Sequence, residues 1–275
     1  MSALSVVICT RNRAASLADA VADVQRQLGP EDELLVVDQS DDPVDLPGVR
    51  VLRDGLRGLP RARNLGLAAT TRPIVWFVDD DVRLRPGCLE AHRAAYADRW
   101  VGGVTGAIDE VGASPNAATT RNDVGWDGRV HTRLTGDRAV SLGTLKGANM
   151  SFRRVALLAA GPCDEGFGGS AFLEDADWSA RVAALGWKLR FEPAAALVHL
   201  VAPAGGCRVD DREAWRFYNT ARFVRRHQAW TAPFVALTFG AIAARGALSG
   251  SPAASWVASF VRGWRSDAAD RPTGG

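Results

Sequence analysis

One stretch limits the folds open to this chain more than any other: Ile74-Val75-Trp76-Phe77-Val78 runs without a break into Asp79-Asp80-Asp81. Five apolar residues of β-branched and aromatic type, preceded by Pro73, read as a buried strand. The three carboxylates then belong where that strand emerges, because burying an unpaired charge costs several kcal/mol. The carboxyl end of a strand is also where open α/β sheets bind their ligands. Each pair of like charges at roughly 4 Å repels by about 4 kcal/mol in an effective dielectric of about 20. A cation held among the carboxylates removes that cost, and so does a fully solvated acidic turn. The flanking sequence decides between them.

Upstream and downstream, strand and helix patterns alternate. Residues 4–9 are apolar and β-branched, and the polar loop Thr10-Arg11-Asn12-Arg13 follows. Ser16 and Asp19 have the spacing of a capping box, and Leu17, Ala20, Val21, Val24 and Leu28 recur at helical spacing up to Gly29-Pro30. A second strand over 33–37 ends in Asp38, and residues 49–52 form a third. Pro60 suits the first turn of a helix through Arg63, Asn64 and Leu67. Pro86 opens another helix, and residues 101–107 read as a further strand. The alternation predicts an α/β fold with a doubly wound, mainly parallel sheet and helices on both faces.

The second half departs from that rhythm. Residues 109–145 are polar and glycine-rich, with a hairpin expected around Trp126-Asp127-Gly128-Arg129. Residues 146–152 read as a loop entering a strand. A helix over 174–185 carries Trp178, Val182 and Leu185 on one face and stops at Gly186. Residues 188–192 and 195–199 are strand-like, and helices are expected over 212–228 and 256–264. At 275 residues the chain can bury a full core, and a net charge of +2 gives no case for a nucleic-acid partner. Cys9, Cys88, Cys163 and Cys207 are widely spaced, as expected of free thiols in a reducing cytoplasm. Met1 to Leu4 run straight into the first strand, so no signal peptide is expected.

Several segments, in order, resemble a family 2 glycosyltransferase of the GT-A fold. They are Ser5-Val6-Val7-Ile8-Cys9-Thr10-Arg11-Asn12-Arg13, Val36-Val37-Asp38, Ala62-Arg63-Asn64-Leu65-Gly66, Phe77-Val78-Asp79-Asp80-Asp81, Gly147-Ala148-Asn149-Met150-Ser151-Phe152-Arg153-Arg154 and Glu174-Asp175-Ala176-Asp177-Trp178-Ser179-Ala180-Arg181. The resemblance covers about residues 4 to 200, and its weight lies in the ordered set rather than in any one motif.

It implies an inverting, metal-dependent transfer of a hexosyl or deoxyhexosyl group from a UDP-, dTDP- or GDP-sugar to a hydroxyl acceptor, a lipid-linked glycan or a small natural product. Asp79 and Asp81 would hold Mn²⁺ or Mg²⁺ against the donor diphosphate, with Asp80 beside them. Thr10, Asn12 and Asp38 would seat the nucleoside, and Arg63 would lie near the phosphates. Thr10 and Asn12 also fit turn and cap residues, and Arg63 a solvated helical arginine. Asp175 would be the general base, with Glu174, Gly147 and Asn149 lining the sugar and acceptor side. Acids in the first turn of a helix are also favoured electrostatically, which is the competing account of Asp177. His199, after its strand, would be a further metal ligand or else an edge histidine, with Gly205-Gly206 closing over the donor. A nucleotidyltransferase would need a glycine-rich phosphate loop after the first strand, and Thr10 to Ala15 contain no glycine. A non-catalytic nucleotide-sugar or membrane-binding module would not need acids at both sites.

Two domains are expected: a catalytic one over 1–205, divided near 107 into nucleotide-binding and acceptor-binding halves, and a helical tail over 206–275. From Arg222 to Arg265 the chain has six arginines and no acid, and Trp256, Phe260 and Trp264 recur every four residues. The expectation is a tail lying on an anionic membrane surface at the inner face of the cell, or packing on the catalytic domain or a homodimer partner, without spanning the bilayer.

Overall fold

A computed structural model describes residues 2–110, 120–201 and 212–266. The first half contains β1 (Leu4–Thr10), α1 (Ala14–Gln25), β2 (Glu33–Asp38), β3 (Arg50–Arg53), α2 (Leu59–Ala69), β4 (Ile74–Asp79), β5 (Val82–Leu84), α3 (Cys88–Ala95) and β6 (Val101–Glu110). The second contains β7 (Arg121–Val124), β8 (Val130–Arg133), β9 (Val140–Ser141), β10 (Asn149–Arg153), α4 (Arg154–Ala160), α5 (Glu174–Ala184) and β11 (Lys188–His199). Three helices close the chain: α6 (Arg212–His227), α7 (Ala232–Leu248) and α8 (Ala253–Arg265).

The central sheet runs β3-β2-β1-β4-β10-β6-β11-β5, with β9 paired on β11. Its first four strands are parallel, as the alternation predicts. β10 enters antiparallel between β4 and β6, which is how residues from the second half reach the centre. Strand alternation sorts β4 between two cores. Ile74, Trp76 and Val78 pack with α1 and α3, while Val75 and Phe77 pack with α2, Trp178 and Val182. Gly66 lets α2 lie directly on β1, since a Cβ there would sit 2.5 Å from Val7 Cγ1.

Some local expectations are corrected. α1 starts at Ala14, so Ser16 lies inside the helix and donates to the Arg13 carbonyl rather than capping, and Leu28 lies past its end. Leu185 is exposed, not part of the buried face of α5, because it follows the last helical residue. Residues 188–199 form one strand with a register shift between Glu192 and Leu197. The expected hairpin is present as β7–β8. Cys9, Cys88 and Cys163 are free, while Cys207 and the Gly205-Gly206 loop lie outside the described residues.

The aromatic stripe of α8 turns inward. Trp256 is buried, and Phe260 and Trp264 pack beside it against Phe217 and Phe223 of α6 and Val235, Phe239 and Ala243 of α7. A Cβ on Gly263 would sit 2.1 Å from the Tyr218 carbonyl, so α8 crosses α6 almost backbone to backbone. Residues Ala229–Leu248 are long and apolar enough to cross a bilayer by length and composition alone, at a mean hydropathy of 1.4.

Candidate active site

The carboxyl ends of β4 and β11 meet at one end of an open cleft. β5 pairs antiparallel with β11 in a register that sets Val82 opposite His199, which brings the imidazole beside the acidic run. Asp79 Oδ2 lies 3.9 Å and Asp81 Oδ1 3.2 Å from His199 Nε2. One ligand atom from each of the three falls within 4.8 Å of the others. Two hard carboxylate oxygens and one imidazole nitrogen suit a divalent ion such as Mn²⁺, so the donor set fits the metal that the sequence implies. The Asp81 hydrogen bond chiefly raises the His199 pKa against the opposing effect of burial, helped by the charges of Asp79, Asp81 and Glu110.

Asp80 turns the other way. Thr10 Oγ1 donates to it at 2.6 Å, and Arg13 Nη1 pairs with it at 2.9 Å and with Asp81 at 3.1 Å. Burial pushes the Asp80 pKa up to about 6, opposed by Thr10 and Arg13. Thr10 is therefore spent on orienting the acidic loop. Arg13, to which the motif alone assigns no role, thus bridges two of the three carboxylates. The signal was a cation in the loop after β1, where three carboxylates need countercharge.

Asp175 lies in the first turn of α5 and lines the same cleft as Asp79 and His199. Its Oδ2 accepts from Gly147 N–H at 2.7 Å and its Oδ1 from Ala176 N–H at 2.8 Å. Arg63 joins the two acidic patches and is buried rather than solvated. It forms a close ion pair with Glu174, donates to the Gly147 carbonyl at 3.2 Å, and lies 3.9 Å from Asp79 Oδ1. Gly147 leaves room for both side chains, since a Cβ there would meet Arg63 Nη2 at 2.7 Å and Asp175 Oδ2 at 3.2 Å and displace one of them.

Other expected residues lie elsewhere. Asn149 does not line the cleft. Fully buried, it accepts from Trp76 Nε1 at 3.0 Å, lies 2.8 Å from His92 Nε2, and donates to the Ala195 carbonyl at 2.8 Å. As the first residue of β10, its side chain turns into the sheet and stitches β4, α3 and β11 together. Asp38 is also fully buried, accepting from Ser40 N–H and Val44 N–H and pairing with Arg53. Those partners outweigh burial and hold its pKa below the usual range. Asn12 has φ of 56° and exchanges side-chain and backbone hydrogen bonds with Asp41 at the open edge of the sheet.

Part of the wall comes from residues 170–173, the end of a loop over 164–173 that α6 shapes. Asn219 donates to the Gly168 carbonyl at 3.0 Å and accepts from Gly168 N–H at 3.3 Å. The Trp215 ring covers Gly168 and Gly169, while Arg222 forks onto Asp164 at 2.9 and 3.1 Å. Ala171 and Leu173 in this loop have φ of 56° and 73°. Each such non-glycine conformation costs about 1–3 kcal/mol and persists only where its surroundings hold it. Asp177, one turn along α5 from Glu174, accepts from Arg181, Arg226 and His227 at 3.0, 2.7 and 2.8 Å, which ties α5 to α6.

The fold is found in solved glycosyltransferases. GalNAc-T7, whose structure holds UDP, GalNAc and Mn²⁺, superposes with a TM-score of 0.65 at 19% identity over 82% of this chain and 48% of that one. Mannosyltransferase PcManGT from Pyrobaculum calidifontis, in complex with GDP-Man and Mn²⁺, gives 0.56 at 17% identity over 95% of this chain and 87% of that one. These likenesses establish the GT-A fold. An uncharacterized protein of Mycobacterium tuberculosis (strain CDC 1551 / Oshkosh) is 32% identical over 143 residues, covering 48% of this chain. The match spans only 42% of that relative's length. Residues 5–159, more than half of the chain, match the family Glycosyl transferase family 2, and the chain belongs to that family.

Proposed function

We propose that the protein transfers a hexosyl or deoxyhexosyl group from a nucleoside-diphosphate sugar to a hydroxyl acceptor with inversion at the anomeric carbon. The observation that carries this reading is one cleft lined by Asp79, His199 and Asp175, with Asp81 behind the first two in the same three-residue cluster. The three-residue cluster would hold a divalent cation, Mn²⁺ in preference to Mg²⁺ because of the imidazole, and a cation there stabilises the charge that develops on the departing diphosphate. Arg63, fixed by Glu174, adds a positive group beside Asp79.

Asp175 takes the proton of the acceptor hydroxyl. The oxygen then bonds to the anomeric carbon from the side opposite the diphosphate, which leaves with the bonding electron pair. General-base assistance of this kind contributes about 10²- to 10⁴-fold. Gly147 N–H aims the carboxylate, and Glu174 acts through Arg63. Thr10 and Arg13 support the metal loop through Asp80, while Asp38 and Asn12 shape the edge where the nucleoside sits.

Calorimetry with Mn²⁺ and each of UDP, GDP and dTDP tests the donor side, and a transfer assay with the matching sugar tests the chemistry. Asp81→Ala should abolish metal-dependent nucleotide binding. Asp175→Asn should keep that binding and lose at least about 100-fold in kcat. Unchanged turnover in Asp175→Asn refutes its role.

A further inference from the structure

The outer face of α7 carries no polar group over most of its length. Val235, Phe239 and Ala243 point into the helical core, whereas Phe234, Ala236, Leu237, Gly240, Ala241 and Ala244 face outward. Leu237 is 74% exposed, and Trp230 in the preceding turn is 73% exposed. The surface continues off the helix, because Trp126 at the tip of the β7–β8 hairpin meets Phe234 edge-on with ring centroids 5.3 Å apart. Trp126 is itself 60% exposed. A contiguous apolar surface with aromatic residues marks an interaction site.

We propose that this face, Trp126, Trp230, Phe234 and Leu237, docks on the surface of an anionic lipid bilayer, with α7 lying in the interface plane. Charge selects this occupant. From Ala214 to Ser266 the chain has no Asp or Glu, while Arg245 lies in the last turn of α7 and Arg262 and Arg265 in the last turn of α8. At the hairpin Arg129 stands 3.6 Å from Asp127, and Arg121 pairs with Asp123, so each of these acids is already matched by an arginine. A second copy of the same face would bring arginines against arginines with hardly an acid to pair them, while acidic headgroups complement them. Tryptophan is the residue that settles at headgroup depth, and two are exposed here. Packing argues against a spanning role, because crossing the bilayer would strip Val235, Phe239 and Ala243 from Phe217 and Trp256. The surface differs from the α8 stripe, which packs on α6 and α7 as the second of the two sequence expectations has it. The same hairpin carries Asn122, Val130 and Thr132 on the wall of the cleft, so the docking surface and the cleft share one element.

Flotation of the full chain with phosphatidylcholine vesicles, with and without phosphatidylglycerol, tests the proposal independently of any enzymatic activity. The wild type should float with the acidic vesicles. Partitioning should fall at least about tenfold in Trp230→Glu/Leu237→Glu, and it should weaken at 1 M salt, where the Debye length shrinks to about 3 Å. Both positions are largely solvent-exposed, so the variant should keep the wild-type circular dichroism and melting temperature, and Trp126→Ser gives a second test outside the helices. Equal flotation of wild type and both variants overturns the proposal. So does a concentration-dependent dimer that disappears in the double variant, or membrane association that resists alkaline carbonate.

Discussion

Replacing Asp177 by asparagine should weaken the whole fold, and the size of the effect follows from the carboxylate's surroundings. Asp177 is fully buried, and burial alone would raise its pKa. The His227 hydrogen bond and the charges of Arg181 and Arg226 reverse that and lower it from 3.8 to about 2. A carboxyl held that far below its ordinary value is worth on the order of 2 kcal/mol of folding stability at neutral pH. Because the folded pKa lies below the unfolded one, this contribution is complete above about pH 4 and is lost as pH falls through about 2. Asp177→Asn also leaves Arg181, Arg226 and His227 around a neutral amide, so the loss at pH 7 should reach about 2–4 kcal/mol. Urea unfolding of both proteins from pH 7 down to pH 2.5 measures the difference directly. The gap should stay constant above pH 5 and narrow below pH 4. A gap under about 0.5 kcal/mol at pH 7, or one that does not narrow in acid, refutes the reasoning.

Two further substitutions probe the cleft. Gly147→Ala places a methyl 2.7 Å from Arg63 Nη2 and should cut transfer by about tenfold or more while far-UV circular dichroism stays unchanged; wild-type kcat would show that the close approach is unimportant. Asn219→Ala removes both hydrogen bonds to Gly168 and should speed hydrogen exchange of the amides in residues 164–173, with little change in the β1–β4 amides; unaltered exchange in that loop would mean that α6 does not hold it.

The parallel half of the sheet could be read from sequence because each strand there is short, apolar and bounded by Gly, Pro or a charged loop. Asp79 and Asp81 could be placed beyond the end of β4 for the same reason, since an unpaired carboxylate is not kept inside a buried run, whereas Asp175 was singled out by the family resemblance. His199 could be placed at a strand end, but only the β5–β11 register sets it beside Asp81. Asn149 departs from the expectation because its motif position resembles a loop lining the cleft, whereas the residue is fully buried. Strand β10 begins at that residue and turns its side chain inward. The orientation of α8 was equally hidden, because an aromatic stripe has the same spacing whether it faces lipid or protein. Arg13 escaped a role because its partners, Asp80 and Asp81, lie about seventy positions away in sequence.

The way residues 164–173 rest on α6 has a practical consequence for building chimeras. The family match ends at residue 159, and a cut near 205 would look natural from the strand and helix pattern. Such a fragment would leave Ala171 and Leu173 without the scaffold that keeps their backbones in place, and Leu173 immediately precedes the helix bearing Asp175. Transplanting this loop between relatives therefore means moving Trp215, Asn219 and Arg222 with it.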